Sequence, residues 1–439
     1  MKNGVIFIML VYNTHMSNVK QFLKACVQKP LQKLVRIKLK RISPTIIGVT
    51  GSIGKTSTKE AIYEVLKTKW RVYRNPKSLN TEIGLLLAAL EQPSGFSSPF
   101  KWITILIKAF LNAFYGQKYD FLVLEYGADK PGDIQHLISL VKPNISVITG
   151  VTRVHQAEGQ FKDIEDVFLE KKKLVTCLEK SEIAILNFSD EKLRKLGTEL
   201  HSKVFWFNGK DIEALQTKTT SKGFSAIVRA GDKKINADFS IAGTYHINVL
   251  LPALLCGTLN GISLEEGISA LMSFKLPPGR MSIIEGKNGS TILDSTYNAS
   301  PEAVKEALHL LHEFPGNKKI AVLGSMNELG TYTEEAHRGI AKHVGLWLDM
   351  LITVGFNAKY IGDSVLKEGF PRDRIKILET AEEAGNLLLK LGLAKGNVVL
   401  LKGSQNLVRL ERAVKMIMAN PKDAKKLLCR QEPEWEKIS

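Results

Sequence analysis

The sequence predicts an α/β protein made of two successive sheet domains. Short apolar strands alternate with helical patterns, as in PTIIGVT, YDFLVLEYG and ISVITGV, which indicates a mostly parallel sheet covered on both faces. Two prolines and a glycine in KLPPGR, residues 275–280, predict a linker. New βα units follow it, namely STILDST, KIAVLGS, MLITVG and NVVLLKGS. We therefore expect an N-terminal segment at 1–43, a central domain at 44–276 and a C-terminal domain at 277–439.

Between residues 203 and 242 the pattern differs from the rest of the central domain. Short alternating runs such as KGFSAIVRA and INADFSIAG predict antiparallel strands that form an insert. A helix is expected to follow from about Tyr245 to Asn260.

The composition is that of an ordinary globular enzyme, with 44% hydrophobic and 24% charged residues in a chain of 439. Its four cysteines are far apart in the sequence, so neither a zinc ribbon nor a disulfide framework is expected, and a reducing cytoplasm fits. The net charge of +17 suits nucleic acid, an anionic membrane or phosphorylated substrates, and it also suits simple solubility.

Residues 1–45 concentrate this charge, because they hold nine lysines or arginines and no acidic residue. Residues 4–12 are apolar but too short to span a bilayer, and no cleavage site clearly follows, so a secretory signal is not expected. Residues 18–42 alternate apolar and basic side chains. This pattern fits two alternatives equally: a helix lying on an anionic membrane, or a basic helix packed on the body of the protein.

A glycine-rich turn lies between the first predicted strand and a helix, in the sequence TGSIGKTST. Such a turn points backbone N–H groups at a phosphate, and the helix N-terminus adds partial positive charge. Lys55 can then reach the β- and γ-phosphates, and the Thr56 hydroxyl can bind Mg²⁺. We therefore predict ATP and Mg²⁺ as cofactors. The candidate nucleotide-binding residues of the loop are Gly51, Ser52, Gly54, Lys55, Thr56 and Ser57.

This loop is similar to the T-G-T-x-G-K-T-(S/T) loop of the Mur ligase family, which makes peptide bonds in cell-wall precursors. Both have no glycine at the position of Val49, where the general phosphate loop has its first one. Further segments resemble the family in its order, from about residue 45 to 415. They are KSLNTEIGL, LEYGADKPGDI, GVTRVHQAEGQF, EKKKL, GTYHINVL, PPGRMSIIEGKNGSTILDSTYNASPEA, AVLGSMNELG and LLKGSQNLVRLE.

The resemblance is closest to the MurF-type branch, which adds D-alanyl-D-alanine to UDP-MurNAc-tripeptide. It implies a central P-loop ATPase domain with a mostly parallel sheet and a C-terminal Rossmann-like α/β domain. It also implies a ligase that works through an acyl phosphate. The implied setting is a cytoplasmic monomer that uses these small molecules and no nucleic acid. Membrane contact through residues 1–42 stays one of the two alternatives that the basic pattern leaves open.

Metal ligands are expected at the ends of the predicted strands. Glu125 ends one of them, where α/β sheets place their ligands, and its hard oxygens suit Mg²⁺. The resemblance adds His155 and Thr56, and it makes Lys171 the lysine that becomes a carbamate able to hold Mg²⁺. The adjacent Lys172 and Lys173 leave that last choice open. The implied catalytic residues are Lys55, His155, Lys171 and Arg280.

The resemblance also assigns contacts to nucleotide and substrate. Arg280 would contact the ATP phosphates when the domains close, as a planar bidentate donor does well. The other implied nucleotide contacts are His246, Asn248, Asp294, Tyr297 and Asn298. The implied substrate contacts are Asn80, Thr81, Glu82, Lys402, Gly403 and Ser404. Two aspartates of the family pattern are replaced here, by Ser295 and Ser325.

The choice of substrate is the least determined part. Only about 44 residues precede the phosphate-loop strand, so the family's usual N-terminal UDP-binding domain is expected to be missing or replaced. Two alternatives stay open beside the MurF-type activity. One is a ligase of the same family with another carboxylate or amine. The other is a non-catalytic nucleotide-binding scaffold at the membrane.

Overall fold

The computed structural model describes residues 27–75, 79–93, 99–152, 159–405 and 408–436. Their strands form two six-stranded sheets and one three-stranded sheet. The predicted α/β class is confirmed: each large sheet is mostly parallel and has helices on its faces.

The first sheet holds the phosphate-loop strand in its middle. Its strand order is β2-β3-β1-β4-β5-β6, and all neighbours pair in parallel. The carboxyl ends of these strands therefore meet along one edge. The strands are β1 Thr45–Thr50, β2 Val72–Arg74, β3 Phe121–Glu125, β4 Ile145–Ile148, β5 Ile183–Asn187 and β6 Lys203–Phe207.

Two helical layers cover this sheet. Three helices, α2, α9 and α10, contact one another over one hydrophobic core, and a second core holds buried side chains from the helix at residues 27–42 and from α3, α4 and α5. The helices are α1 at 27–42, α2 Lys55–Leu66, α3 Glu82–Ala89, α4 Pro99–Tyr115, α5 Asp133–Leu140, α6 Ile164–Lys171, α7 Lys173–Thr176, α8 Glu191–Glu199, α9 Ile247–Leu259 and α10 Leu264–Met272.

The antiparallel insert is confirmed only in part. Three strands, β7 Glu213–Thr220, β8 Gly223–Ala230 and β9 Lys233–Phe239, form an antiparallel sheet. The prediction is wrong for residues 203–207, which extend the parallel sheet as β6. The reason is the intervening helix α8, which brings the chain back to start β6 in the same direction as β5. The helix expected at about Tyr245 is α9, preceded by a 3₁₀ turn.

The second large sheet has the order β10-β11-β15-β12-β13-β14, with only β10 antiparallel to its neighbour. Its strands are β10 Ser282–Glu285, β11 Thr291–Ser295, β12 Lys318–Gly324, β13 Met350–Val354, β14 Ile375–Leu378 and β15 Asn397–Lys402. Its helices are α11 Pro301–Glu313, α12 Thr333–Gly339, α13 Lys359–Lys367, α14 Ala381–Lys390, α15 Glu411–Ile417, α16 Ala424–Leu427 and α17 Pro433–Glu436.

Helix α1 packs on the body of the protein through one side. Leu31 and Val35 are fully buried in the core, and the buried Lys38 forms an ion pair of 2.6 Å with Glu91. Arg41 donates hydrogen bonds to the last carbonyl groups of α4. Residues 27–42 therefore pack on the body of the protein through this side, while the basic outer side of the helix stays exposed. Across the described ranges, no helix combines the length and the apolar composition that crossing a bilayer requires.

We predict that Leu31→Ala lowers the free energy of unfolding by about 2–5 kcal/mol, because it opens a cavity in a packed core. Ile37→Ala on the same helix is the matched control, since that side chain is 39% exposed, and it should cost well under half as much. Urea unfolding followed by circular dichroism measures both. Equal costs for the two variants would contradict the packing of α1.

Candidate functional site

The phosphate loop is clamped between the first strand and the neighbouring strand β4. Ser52 N–H donates to the Gly150 carbonyl, and the Thr149 hydroxyl donates to the Ile53 carbonyl at 2.6 Å. A Cβ on Gly51 would lie 1.9 Å from the Thr149 hydroxyl oxygen, so this approach requires glycine. Gly54 has a φ of 85°, which also favours glycine, and α2 begins directly after it. The loop is thus held in one shape at a helix N-terminus, as anion binding requires.

The carboxylate of Glu125 lies beside this loop. Parallel pairing sets Val49 against Glu125. One carboxylate oxygen accepts from the Thr56 hydroxyl at 2.9 Å and the other from the Asn80 amide at 3.0 Å. Burial would raise the pKa of Glu125, but the nearby cations, Lys55 first among them, outweigh burial and lower it. A buried, ionised carboxylate with an adjacent hydroxyl is suited to a divalent cation.

Lys171 ends α6 and is 1% exposed. Burial, followed by repulsion from Lys55, lowers the pKa of Lys171 to about 7. Lys172 and Lys173 are only half-buried, and the ammonium group of Lys173 pairs with Glu170 at 2.7 Å. Of the three adjacent lysines, Lys171 is therefore the one that is buried near the phosphate loop with a partly unprotonated amine at neutral pH.

Arg280 connects the linker to the phosphate loop. Its guanidinium donates to the Thr56 hydroxyl at 2.9 Å and lies over the Tyr297 ring, 4.1 Å from the centroid. The turn before it needs glycine, because Gly279 has a φ of 74° and a Cβ there would lie 2.9 Å from the Tyr297 nitrogen. The start of the second sheet domain is thus fixed against the loop of the first.

Lys402 brings a second cation from the end of β15. Its ammonium group donates to the Ser295 hydroxyl at 3.1 Å and to the Asn298 carbonyl at 2.9 Å. Burial, followed by repulsion from Arg280, lowers the pKa of Lys402 to about 7. Ser404 supports the same loop, since its hydroxyl donates to the Ala299 carbonyl.

A chain of amides lies at another wall of the site. The Asn208 amide donates to the Asn248 side chain at 2.6 Å and to the Asn187 side chain at 3.0 Å. The sequence prediction missed Asn187 and Asn208. Two signals were available: Asn187 ends a strand as Glu125 does, and Asn208 precedes Gly209 and has a positive φ of 54°. Burial lowers the pKa of His246 to about 4, so its ring is neutral.

Most of these residues line a cleft of about 780 Å³ between the two sheet domains. Asp129, Asn327 and Glu328 also line it and were not among the predicted residues. The predicted residues that line the cleft are Ser52, Gly54, Lys55, Thr56, Ser57, Asn80, Glu125, His246, Asn248, Arg280, Tyr297, Asn298 and Lys402.

Other predicted residues lie behind the cleft wall or away from it. Thr81 precedes α3, and Glu82 in its first turn lies 3.3 Å from the ring of His136. Asp294 is fully buried and accepts from Thr296, and burial raises the pKa of Asp294 to about 6.

Four of the remaining predicted residues do not line the cleft, and one lies outside the residues that the structure describes. Gly403 packs tightly against Gly324, where a Cβ would lie 3.1 Å from the Gly403 Cα. Gly51, Lys171 and Ser404 do not line the cleft themselves. His155 lies outside the described residues. Within the described ranges, no group of three or more His, Cys, Asp or Glu side chains is placed to hold a metal.

Comparison with protein families gives two matches that follow each other along the chain. The Mur ligase middle domain matches residues 49–257, and the Mur ligase glutamate ligase domain matches residues 279–405. The UDP-N-acetylmuramoyl-tripeptide–D-alanyl-D-alanine ligase of Bacillus subtilis is 28% identical, over 89% of this chain and 79% of its own. The enzyme of that name from Escherichia coli is 25% identical, over 80% of this chain and 74% of its own.

Solved structures agree with these matches. A MurF ligase from Thermotoga maritima in complex with ADP is 30% identical with a TM-score of 0.75, covering 91% of this chain and 84% of its own. A folylpolyglutamate synthase from the same organism is 16% identical with a TM-score of 0.59, covering 92% and 95%, and shares the fold. The family resemblance drawn from the motifs is confirmed.

We predict that Lys55→Ala weakens the binding of ADP with Mg²⁺ by roughly 10- to 100-fold, since a hydrogen bond to a charged group contributes about 1.5–3 kcal/mol. Lys67→Ala removes the same charge from the other end of α2 at an exposed position, and it should change the affinity less than about twofold. Isothermal titration calorimetry measures both. Unchanged affinity in Lys55→Ala would exclude this loop as the phosphate site.

Proposed function

This chain belongs to the Mur ligase family, and from that premise we propose that it joins D-alanyl-D-alanine to UDP-N-acetylmuramoyl-tripeptide with ATP. One observation carries the proposal. A single cleft brings the phosphate loop and Glu125 from the first sheet domain together with Arg280 and Lys402 from the second. The relatives that match most of the chain have this activity in their names.

The reaction needs a carboxylate to become electrophilic. A carboxylate oxygen takes the γ-phosphoryl group of ATP, which gives an acyl phosphate and ADP. The amine nitrogen then attacks the acyl carbon, forms the C–N bond and loses a proton, and phosphate leaves as the tetrahedral intermediate collapses. The protein has two tasks: to neutralise the phosphate charge and to hold the three reacting groups in line.

The residues present fit Mg²⁺. Glu125 is ionised and shares a hydrogen bond with the Thr56 hydroxyl. Lys171, with its pKa of about 7, has the neutral amine that adds to CO₂ and releases a proton to form a carbamate. We therefore assign the metal to Thr56, Glu125 and carbamylated Lys171. When bound, Mg²⁺ supplies positive charge to the phosphate oxygens.

The two cations of the second domain have different tasks in this proposal. Arg280 already reaches Thr56, so its fork is placed to contact phosphate oxygens. Lys402 lies one loop away and is held by Ser295 and Asn298. We assign it, with Gly403 and Ser404, to the incoming dipeptide.

We assign the tripeptide carboxylate to Asn80, which lines the cleft. Thr81 and Glu82 do not line it, and in this proposal they hold the start of α3 behind Asn80.

We also propose that the chain acts as a monomer in the cytoplasm, at the inner face of the membrane, which it touches through residues 1–42. The support is the outer side of α1, where four basic residues are exposed. They are Lys29, Lys33, Arg36 and Lys40. The first acidic residue of the chain is Glu60. This segment therefore contains no carboxylate that would repel an anionic surface.

The direct test is turnover. The full chain is incubated with ATP, Mg²⁺, UDP-MurNAc-tripeptide and D-Ala-D-Ala, and both ADP and the pentapeptide product are measured. We expect both in equal amounts. ADP and an amide formed only with another carboxylate or amine would replace the proposed substrates and keep the ligase. ATP binding without turnover on any acceptor would contradict catalysis and support a scaffold.

We further predict that Lys171→Ala lowers the turnover rate by ~100-fold or more, because the carbamate that neutralises phosphate charge is lost. Added formate or acetate should restore part of the rate by replacing the carbamate oxygens. Lys172→Ala, the adjacent half-buried lysine, should keep most of the activity. Equal losses in both variants, with no rescue, would remove the assignment of Lys171.

The pH dependence has a definite sign. Only the neutral amine adds to CO₂, and the pKa of Lys171 is lowered to about 7, so carbamate should form more readily as the pH rises through about 7. ¹³C NMR of the protein with labelled bicarbonate measures the carbamate directly. A carbamate signal that decreases over this range, or that persists in Lys171→Ala, would contradict the assignment.

A further inference from the structure

The outward face of α4 is unusually apolar. One side of this helix packs into the core, where Ile105, Ala109 and Ala113 are buried. A second apolar side faces outward, and its side chains are between 41% and 82% exposed. This outward face consists of Phe100, Ile103, Ile107, Phe110, Leu111, Phe114 and Tyr115.

These side chains form one continuous stripe. Their spacing of three and four residues places them on the same side of a helix, and the rings of Phe110 and Phe114 lie 4.9 Å apart. Large apolar side chains exposed to this degree add up to an area on the order of several hundred Å². A patch of this size marks an interaction surface, whereas single exposed apolar residues are ordinary.

Positive charge lies beside the stripe. Lys101 and Lys108 are exposed on the adjoining side of α4, and Lys118 follows the helix. No acidic residue occurs from Gln92 to Lys118. Arg41 joins the carboxyl end of α4 to α1 by donating to two carbonyl groups of the helix and to that of Gly116 after it. The basic outer side of α1 is therefore attached to the same part of the molecule.

This combination identifies the occupant. An apolar helix face with cations beside it and no carboxylate matches the boundary between acyl chains and anionic headgroups. A second copy of the chain would bring lysines against lysines, which opposes self-association. The helix has 17 residues and two lysines, so lying in the plane of the interface suits it better than spanning the bilayer.

We propose that the outward face of α4 is a membrane-docking surface that inserts its apolar side chains among anionic lipid headgroups. This goes beyond electrostatic contact by the basic segment, because the apolar stripe supplies binding that salt does not screen. Tyr115 in the stripe suits the same depth, since amphipathic rings prefer the headgroup boundary.

The test uses the full chain and vesicles of phosphatidylcholine with phosphatidylglycerol, followed by co-sedimentation. The variant Ile107→Gln/Phe110→Gln removes apolar side chains without changing charge, and it should weaken vesicle binding at least tenfold. Leu346→Gln is the matched control, because Leu346 is 69% exposed at a distant position, and it should bind as the parent does. Unchanged ADP affinity and melting temperature show that each variant is folded.

Charge is tested separately by Lys101→Gln/Lys108→Gln, which should weaken binding to the anionic vesicles and reduce its dependence on salt. Three outcomes would overturn the proposal. They are vesicle binding unchanged in Ile107→Gln/Phe110→Gln, equal binding of the parent to pure phosphatidylcholine, and a dimer without vesicles that this variant converts to monomers. Vesicle binding needs no substrate, so a failed ligation assay leaves this result independent.

Discussion

The buried carboxylate of Glu125 is the constraint on which the rest of the site depends. Removing a charge from water is costly unless hydrogen bonds and opposite charges replace the lost hydration. Thr56 and Asn80 donate the hydrogen bonds, and Lys55 makes the largest contribution among the opposing charges. The parallel pairing of β1 with β3 makes this arrangement possible, because it places the end of one strand beside the loop that follows the other.

The cleft has more positive charge than this carboxylate needs. Lys171 and Lys402 are both buried with a pKa of about 7. Their amines are held partly neutral, which limits the repulsion among the cations around the phosphate loop. Such an excess of donors is suited to a ligand with several negative charges. The polyphosphate of ATP meets that requirement, and it explains why the cations come from both sheet domains.

Two serines stand where the motif resemblance implies family aspartates, and both are hydrogen-bonded. The Ser295 hydroxyl accepts a hydrogen bond from Lys402. The Ser325 hydroxyl accepts from the backbone N–H groups of Asn357 and Ala358. In both places an uncharged oxygen keeps a hydrogen-bonding position and gives up a negative charge. The loops are held by these hydrogen bonds, and the surroundings of Lys402 hold one carboxylate fewer than the family pattern implies.

The sequence by itself determined several of the strands, the order of the motifs, the phosphate loop and the strand-end position of Glu125, because each depends on local pattern. Tertiary structure decided which side chains meet. It buried Lys171 but not the adjacent Lys172 and Lys173. It also joined Asn208 to Asn187 and Asn248, and it added residues 203–207 to the parallel sheet.

The two faces of α4 show the same division. Its apolar residues are visible in the sequence, but only packing against α1 and the sheet reveals which of them are covered. Contacts between residues far apart in sequence depend on strand order and helix placement, and a local pattern carries no information about either. For this reason the sequence identified the phosphate loop, whereas the structure was needed to show the exposed apolar face of α4.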